Sequence, residues 1–322
     1  MRVLVTGGAG FIGSNLAERL LAEGHAVTVY DNLCAGSLEN LRECQGKAGF
    51  RFVEADLLDL NTLEQVMHGQ DAVFHMAANS NIPEGRRSSD TDLRLGTLAT
   101  YNVLEAMRRA GVKQIVFASS SAIYGEATVV PTPESYGPLF PISLYGASKL
   151  ACEGLITAFC SNYGMQAWIC RFANICGRHG THGILIDFIA RLRDDPRELT
   201  VLGDGRQAKP YLHVSECVDG MLFIWRNARE QVNCFNLGCE GATSAGRIAE
   251  LLLDAMGMPE TKIAYGGGDR GWVGDVPQVR LDCTRLAQLG WTAKVTSEQA
   301  VKRAAEELVK ERAQTCAATS KL

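Results

Sequence analysis

Tyr145 and Lys149 are a tyrosine and a lysine whose spacing is suited to proton transfer. In the segment Tyr-Gly-Ala-Ser-Lys they are four positions apart, so a helix would place the phenol and the ammonium on one face. A free phenol has a pKa near about 10 and is a poor base at neutral pH. A nearby positive charge favours the phenolate, so the pair is a candidate general base with its activating cation. The same spacing also occurs on ordinary helix surfaces.

Serine hydroxyls precede this predicted helix, in the segment Ala-Ser-Ser-Ser-Ala-Ile-Tyr-Gly at 118–125. The segment follows an apolar run, Ile115 to Ala118, that predicts a strand. Ligands gather at the carboxyl ends of parallel strands, so a hydroxyl here can hold the substrate oxygen that Tyr145 deprotonates. Small hydroxyl residues are also turn formers, and for any single serine both interpretations stay open.

Three glycines between the first strand and the first helix predict a dinucleotide site. In Thr-Gly-Gly-Ala-Gly-Phe-Ile-Gly, Gly7 permits a tight turn, Gly10 allows close approach of a pyrophosphate, and Gly13 allows close helix packing. The helix that follows, with Phe11 and Ile12 in its first turn, offers N–H donors and a partial positive charge to the phosphates.

Asp31, at the end of the second strand, favours NAD over NADP. Its carboxylate can accept hydrogen bonds from the adenosine ribose and would repel a 2′-phosphate. The alternative is a solvated loop aspartate. The positive nicotinamide ring of NAD would join Lys149 in lowering the pKa of Tyr145. Residues after the second, third and fourth strands complete the predicted cofactor site: Asn32, Asp56, Leu57, Met76, Ala77 and Ala78.

Short apolar strands alternate with amphipathic helices over the first half of the chain. This alternation predicts an α/β fold with a doubly wound parallel sheet of the Rossmann type. The predicted strands are Val3–Thr6, Ala26–Tyr30, Phe50–Glu54, Ala72–Met76, Ile115–Ala118 and Ala167–Phe172. The predicted helices are Phe11–Glu23, Leu93–Arg109 and Leu144–Tyr163.

After about Gly177 the alternation loosens, which predicts a smaller, partly interleaved C-terminal α/β domain. We expect residues 1–177 plus about 211–237 to form the NAD-binding domain. About 178–210 plus 238–312 would form the substrate domain, and 313–322 a flexible tail.

The composition argues against several classes of partner. The 322 residues include 32 Lys and Arg against 36 Asp and Glu, a net charge of −4, which disfavours nucleic acid. Eleven cysteines without a C-x-x-C pair, and His179 and His182 without neighbouring ligands, predict neither a disulfide framework nor a metal site. We find no signal peptide and no apolar run of membrane-spanning length, so we expect a cytoplasmic protein with no membrane partner.

Together these motifs resemble extended short-chain dehydrogenases/reductases, specifically the NAD-dependent epimerase/dehydratase family around UDP-glucose 4-epimerase. The likeness covers residue 1 to about 310. It includes further segments at 96–106 (Gly-Thr-Leu-Ala-Thr-Tyr-Asn-Val-Leu-Glu-Ala), 171–174 (Arg-Phe-Ala-Asn), 203–207 (Gly-Asp-Gly-Arg-Gln), 211–214 (Tyr-Leu-His-Val) and 270–275 (Arg-Gly-Trp-Val-Gly-Asp).

The resemblance implies roles for several residues. Ser120 would be the catalytic hydroxyl, with Ser121 beside it in the substrate site. Asn174 and Arg270 would lie at the nucleotide diphosphate of a substrate for which UDP is favoured. Val279 would lie near C2 of the sugar, where a small side chain leaves room for an N-acetyl group. Many relatives are homodimers through the Leu93 and Tyr145 helices, so we expect a homodimer.

Three positions depart from the family pattern. Lys209 replaces an arginine that is frequent among relatives, and a lysine cannot make bidentate phosphate contacts. Gly96 replaces an asparagine near the cofactor, and Gly177-Arg178-His179 replaces Gly-Pro-Arg. These changes affect the expected substrate contacts more than the expected fold.

The resemblance also indicates the reaction class. Relatives that are 4,6-dehydratases carry Asp-Glu three and two residues before the tyrosine that corresponds to Tyr124, and decarboxylases carry Glu at the second position. This chain has Ser121 and Ala122 there, which favours a nucleotide-sugar 4-epimerase. A dehydratase, decarboxylase or reductase on the same scaffold, and a non-catalytic NAD-binding sensor, remain the alternatives.

Overall fold

The computed structural model describes residues 1–79, 81–82, 84–268 and 279–319. The strands within these residues are β1 (Arg2–Thr6), β2 (Ala26–Asp31), β3 (Phe50–Glu54), β4 (Ala72–His75), β5 (Gln114–Ser120), β6 (Gln166–Phe172), β7 (Asn174–Cys176), β8 (Glu198–Val201), β9 (Ala208–Lys209), β10 (Tyr211–His213), β11 (Val232–Leu237), β12 (Thr243–Ser244) and β13 (Lys262–Tyr265).

The α-helices are α1 (Phe11–Ala22), α2 (Leu60–Met67), α3 (Glu84–Arg87), α4 (Ala99–Ala110), α5 (Leu144–Tyr163), α6 (Ile184–Asp194), α7 (Val214–Asn227), α8 (Ala245–Met256), α9 (Thr284–Leu289) and α10 (Ser297–Thr319). None of the helices within the described ranges is both long and apolar enough to cross a bilayer.

Seven parallel strands form the central sheet, in the order β11-β6-β5-β4-β1-β2-β3. The strands are apolar on both faces because helices cover both: Val3 and Val5 pack into one core and Leu4 into the other, all fully buried. The strand order reverses beside β1, which is where such sheets form their ligand crevice. The predicted doubly wound α/β fold is confirmed.

A third hydrophobic core lies apart from the sheet. It is built mainly from α6, β8, α8 and α10, and β8 pairs in parallel with β13. The chain enters this region after β7 and returns to the central sheet with β11, so the two regions are interleaved along the sequence. The exact boundaries of the predicted domains stay a prediction.

Two predicted elements differ from the structure. The expected helix Leu93–Arg109 begins as a π-helical turn, Leu93–Leu98, before α4. A Cβ atom on Gly96 would lie 2.1 Å from Ser148 Oγ, so this turn packs against α5 more closely than a side chain would allow. The second is the tail expected at 313–322: α10 extends to Thr319 through an alanine-containing stretch without glycine or proline, and the flexibility of this tail stays a prediction.

Candidate active site

A cavity of about 1270 Å³ lies at the carboxyl ends of the central strands. Its walls include every described residue that the sequence assigned to a site: Gly7, Gly10, Phe11, Ile12, Gly13, Asp31, Asn32, Asp56, Leu57, Met76, Ala77, Ala78, Ser120, Ser121, Tyr145, Lys149, Asn174, Lys209 and Val279. Arg270, with the segment 270–275, lies outside the described residues. The structure therefore brings the described candidates together, while their individual roles stay predictions.

The glycine turn after β1 has the geometry of a phosphate-binding loop. Gly7 has a φ of +66°, and a Cβ atom there would lie 2.7 Å from the backbone of Ala77. A Cβ atom on Gly13 would lie 2.1 Å from the carbonyl oxygen of Gly7. The first bond of α1 joins the N–H of Ser14 to the carbonyl of Gly10 at 3.0 Å, so the preceding helical amides are available for phosphate oxygens.

Asp31 is held by backbone amides at the end of β2. It is buried, and its carboxylate accepts the N–H of Ala9 at 2.9 Å and the N–H of Leu33 at 2.8 Å. Each oxygen keeps acceptor capacity for a ribose hydroxyl. Beside it, the side-chain amide of Asn32 donates to Asp56 at 3.0 Å. The glycine cradle and these acceptors fit the adenosine diphosphate half of NAD.

The candidate catalytic groups come from β5 and α5. Ser143 caps α5 by accepting the N–H of Gly146 at 3.1 Å, which places Tyr145 in the first helical turn. Lys149 is buried one turn later, where its ammonium donates to the carbonyl of Ala118 at 2.6 Å and lies 5.7 Å from the centre of the Tyr145 ring. Ser120 accepts the N–H of Ala122 at 3.2 Å.

The electrostatics of Tyr145 differ from the prediction. Burial raises the pKa of Tyr145 to about 12, although a hydrogen bond from the Ser120 hydroxyl lowers it. Burial also lowers the pKa of Lys149 to about 8. The protein's own groups therefore do not depress the phenol pKa, because desolvation of the phenolate outweighs them. A net depression of the phenol pKa would therefore require the positive charge of a nicotinamide ring in addition to that of Lys149.

Asp92 is a neighbour of this site that the sequence analysis missed. It is 2% exposed, and Asn79 donates to its Oδ1 at 3.1 Å. Among the residues that the structure describes, none forms a hydrogen bond with its buried Oδ2. Ser148, between the two candidate catalytic residues, donates to its backbone carbonyl at 2.8 Å. Burial raises the pKa of Asp92. In the sequence it belongs to a polar run, Ser-Ser-Asp-Thr-Asp, which looks like a surface turn.

A buried ion pair supports the wall beneath Ser120. Arg171 on β6 makes two hydrogen bonds to Glu153 on α5, at 3.0 and 2.7 Å. Ser119 donates to the same carboxylate at 2.5 Å, and Arg171 also donates to the hydroxyl of Tyr124 at 2.9 Å. This network ties β5, β6 and α5 together directly behind the candidate catalytic groups.

The far end of the cavity contains the residues expected at the nucleotide. The side-chain amide of Asn174 donates to the carbonyl of Pro210 at 3.4 Å, and Lys209 lies on β9, which pairs with β12. Other polar side chains that line the cavity had no predicted site role: His182, Asp187, Arg191 and Gln207. Gln207 ends the 203–207 segment that carries the family likeness, whereas no motif marked a binding role for the other three.

Comparison with known proteins agrees with this geometry. Residues 3–238 match the model of the NAD dependent epimerase/dehydratase family. A crystal structure of a UDP-galactose 4-epimerase is 36% identical, with a TM-score of 0.87 over 97% of this chain and 99% of that one. A UDP-glucose 4-epimerase of Mycolicibacterium smegmatis is 31% identical over 95% of this chain and 98% of its own. A dTDP-glucose 4,6-dehydratase of an Actinoplanes species is 30% identical over 92% and 93%.

Proposed function

The chain belongs to the NAD-dependent epimerase/dehydratase family, with NAD as its cofactor, and we propose that it is a nucleotide-sugar 4-epimerase. The substrate would be a UDP-hexose, a UDP-uronic acid or a UDP-N-acetylhexosamine. The proposal depends most on the wall beside Ser120, where Ser121 and Ala122 line the cavity. Neither side chain is a competent base for a proton on carbon.

The positions of the carboxylates support this choice of reaction. Among the described lining residues the carboxylates are Asp31, Asp56, Glu84 and Asp187. Asp31 ends β2 and Asp56 follows β3, both at the expected adenosine end, and Asp187 is in the first turn of α6. In dehydratases and decarboxylases the segment beside Ser120 carries acid and base groups. In this chain the same segment contributes no carboxylate to the described cavity wall.

The chain's own residues account for proton transfer at the sugar C4 position. Tyr145 would take the proton from the 4-hydroxyl, and Ser120 would hold the same oxygen. Lys149 would favour the phenolate by its charge. Bound NAD would supply an acceptor for the hydride of C4 and, in its reduced form, the donor that returns this hydride after the keto sugar has rotated. With no base at C5, return of the hydride to the opposite face is the simplest remaining path.

The nucleotide end of the cavity favours a diphosphate. Asn174 and Lys209 line it, and we assign Arg270 to the same task from the family pattern. UDP is proposed because the similar epimerases named above act on UDP sugars. Val279 lines the cavity with a small side chain, which supports room at the C2 side of the sugar.

A 4,6-dehydratase is the second candidate. Glu84 lines the cavity, and a relative of similar identity is a dehydratase. However, Glu84 begins α3 and lies outside the segment beside Ser120 in which dehydratase relatives carry their acid and base groups. Its carboxylate also lies 3.6 Å from the guanidinium of Arg87. The position of Glu84 favours the epimerase.

A homodimer and a cytoplasmic location are part of the proposal. One surface of the π turn and α4 exposes three large apolar side chains: Leu93 (59%), Leu98 (45%) and Tyr101 (41%). Tyr163 on α5 is also exposed, at 43%. Such an apolar face is typical of a contact between subunits.

The ten described cysteine side chains are free thiols, as expected in a reducing compartment.

A panel of nucleotide sugars tests the function. Purified protein without added cofactor should interconvert the C4 epimers of at least one UDP sugar, as seen by chromatography of the sugar nucleotides. A stable 4-keto product, or loss of carbon dioxide, would contradict the epimerase and favour another reaction on this scaffold. NAD bound to the protein without turnover of any sugar would support a sensor.

A further inference from the structure

The segment at 177–183, between β7 and α6, is bound to helix α1 by hydrogen bonds and an ion pair. The guanidinium of Arg178 donates to Asn15 Oδ1 at 2.8 Å and forms an ion pair with Glu18. In return, the side-chain amide of Asn15 donates to the backbone carbonyl of Arg178 at 3.3 Å. Charge-assisted and reciprocal contacts of this kind fix both position and orientation.

His179 adds a second attachment to the same helix. Its ring Nδ1 lies 2.9 Å from the hydroxyl oxygen of Ser14, and its φ is 63°, in the left-handed region that non-glycine residues seldom adopt. Burial lowers the pKa of His179 to about 4, so the ring is neutral at pH 7. A residue in this conformation persists only where its surroundings hold it.

Helix α10 holds the segment from the other side. Glu307 accepts the backbone N–H of Arg178 at 3.3 Å, and Glu311 accepts that of His179 at 3.2 Å. Glu307 also lies 2.9 Å from Nε2 of the buried His213. Although burial would raise the pKa of Glu307, its bonds to His213 and Arg303 lower it to about 2. The carboxylate is therefore charged throughout the working pH range.

The second half of the segment covers the cavity. Gly180, Thr181, His182 and Gly183 line it, as the residues of the glycine turn do. The ring of His182 meets that of Phe11 edge to face, with their centres 6.5 Å apart. Phe11 is the first residue of α1, whose free amides face the expected pyrophosphate. The 177–183 segment thus forms part of the cavity wall beside the expected pyrophosphate.

We propose that Arg178 is a positioning residue that holds the 177–183 segment over the pyrophosphate of NAD and thereby slows NAD release. The inference rests on NAD binding at the glycine turn. The proline that many relatives carry at this position has neither an N–H for Glu307 nor a guanidinium for Asn15 and Glu18. The attachment is therefore a property of this chain's own Gly-Arg-His sequence.

Exchange of bound NAD against isotopically labelled NAD, followed by mass spectrometry, tests the proposal. Arg178→Ala should speed exchange about 10- to 100-fold, the loss expected for hydrogen bonds to charged groups. Turnover with saturating added NAD should stay within about twofold of wild type, because the chemistry is untouched. Arg178→Lys should be intermediate, since it keeps the charge but not the planar fork.

Two further variants separate this role from a general loss of structure. Glu18→Gln removes the ion pair from the α1 side without changing the segment and should also speed exchange. Arg247→Ala breaks exposed pairs with Glu250 and Glu298 and should leave exchange unchanged.

The inference is overturned if Arg178→Ala exchanges NAD at the wild-type rate, or if it loses turnover and thermal stability together with no faster exchange. A wild-type protein that binds NAD but exchanges it as fast as the Arg178→Ala variant would overturn this inference and leave the cofactor assignment intact. A wild-type protein that binds no NAD would overturn the cofactor assignment as well.

Discussion

Among the single residues, Tyr145 is the group on which the proposed proton transfer depends. Tyr145→Phe should lower turnover at least about 10²-fold, the usual contribution of a general base. Binding of the nucleotide sugar should be nearly kept, because the ring and its packing remain. Steady-state kinetics and calorimetric titration measure the two effects.

Tyr163→Phe is the matched control for this change. Tyr163 lies at the other end of the same helix and is 43% exposed, outside the cavity. The Tyr163→Phe enzyme should therefore turn over its substrate at the wild-type rate. A Tyr145→Phe enzyme with near-normal turnover would rule out the phenol as the base.

Lys149 should control the pH dependence of the same step. Because the base must be deprotonated, kcat should rise with pH. Lys149→Met should move this rise about 1 to 3 pH units higher by removing a nearby positive charge. Burial lowers the pKa of Lys149 to about 8, so wild-type Lys149 loses its charge above that pH.

The two enzymes should therefore differ most below pH 8 and converge above it. Profiles of kcat measured from about pH 6 to pH 10 with saturating NAD check this, since kcat reports the groups of the enzyme–substrate complex. Superimposable profiles would show that Lys149 does not act on the phenol by its charge.

At the scale of elements, the Arg171–Glu153 pair joins β6 to α5 behind the site. Both side chains are less than one-tenth exposed, at 9% and 8%. Glu153→Ala should lower the free energy of unfolding by about 3 to 5 kcal/mol, since it leaves the Arg171 charge buried without a partner. Urea unfolding of the purified protein measures the change.

Glu298→Ala is the control at this scale, because its pair with Arg247 is about half exposed. Exposed pairs contribute about 0 to 1 kcal/mol, so the unfolding midpoint should barely move. An equal loss of unfolding free energy in Glu153→Ala and Glu298→Ala would contradict the larger stabilisation assigned to the buried pair.

The elements that the sequence predicted well are those with a strong local signal. β1 has a continuous run of valine and leucine followed by a glycine turn, and α5 has a serine cap and a glycine after its end. Asp92 could not be predicted in the same way. Its burial arises from contacts with Asn79 and Ser148, which are distant in sequence, so only the packed fold brings it to the site.

At the scale of the whole molecule, the exposed face of the π turn and α4 predicts the homodimer. Leu93→Asp places a charge at a side chain that is 59% exposed in the single chain, so the fold should tolerate it. Desolvating that charge would oppose association, and the variant should sediment as a monomer. Leu38→Asp, at a 41% exposed leucine of another surface, should not change the sedimentation coefficient.

Sedimentation velocity at several concentrations distinguishes these outcomes. A wild-type protein that is a monomer at all of them would contradict the dimer. A Leu93→Asp protein that is still a dimer would show that the subunits associate through another face.

The overall reaction gives the last prediction, which concerns the bond at C5 of the sugar. A 4-keto sugar has an acidic C5 proton, and a dehydratase must remove it before water is lost from C6. The cavity wall that would supply this base carries Ser121 and Ala122. An alanine cannot accept the proton, and a serine without a basic partner is a poor acceptor. The C5–H bond should therefore remain intact through every turnover.

Turnover in heavy water tests whether the C5–H bond breaks, because a proton removed from C5 is replaced by deuterium from the solvent. When a UDP sugar and its C4 epimer interconvert in heavy water, mass spectrometry should find no deuterium on the sugar carbons. Glu84→Gln should leave the product unlabelled as well, since Glu84 has no role in an epimerisation that never breaks the C5–H bond. Deuterium at C5 in wild type that disappears in Glu84→Gln would identify Glu84 as the missing base and make dehydration the better assignment.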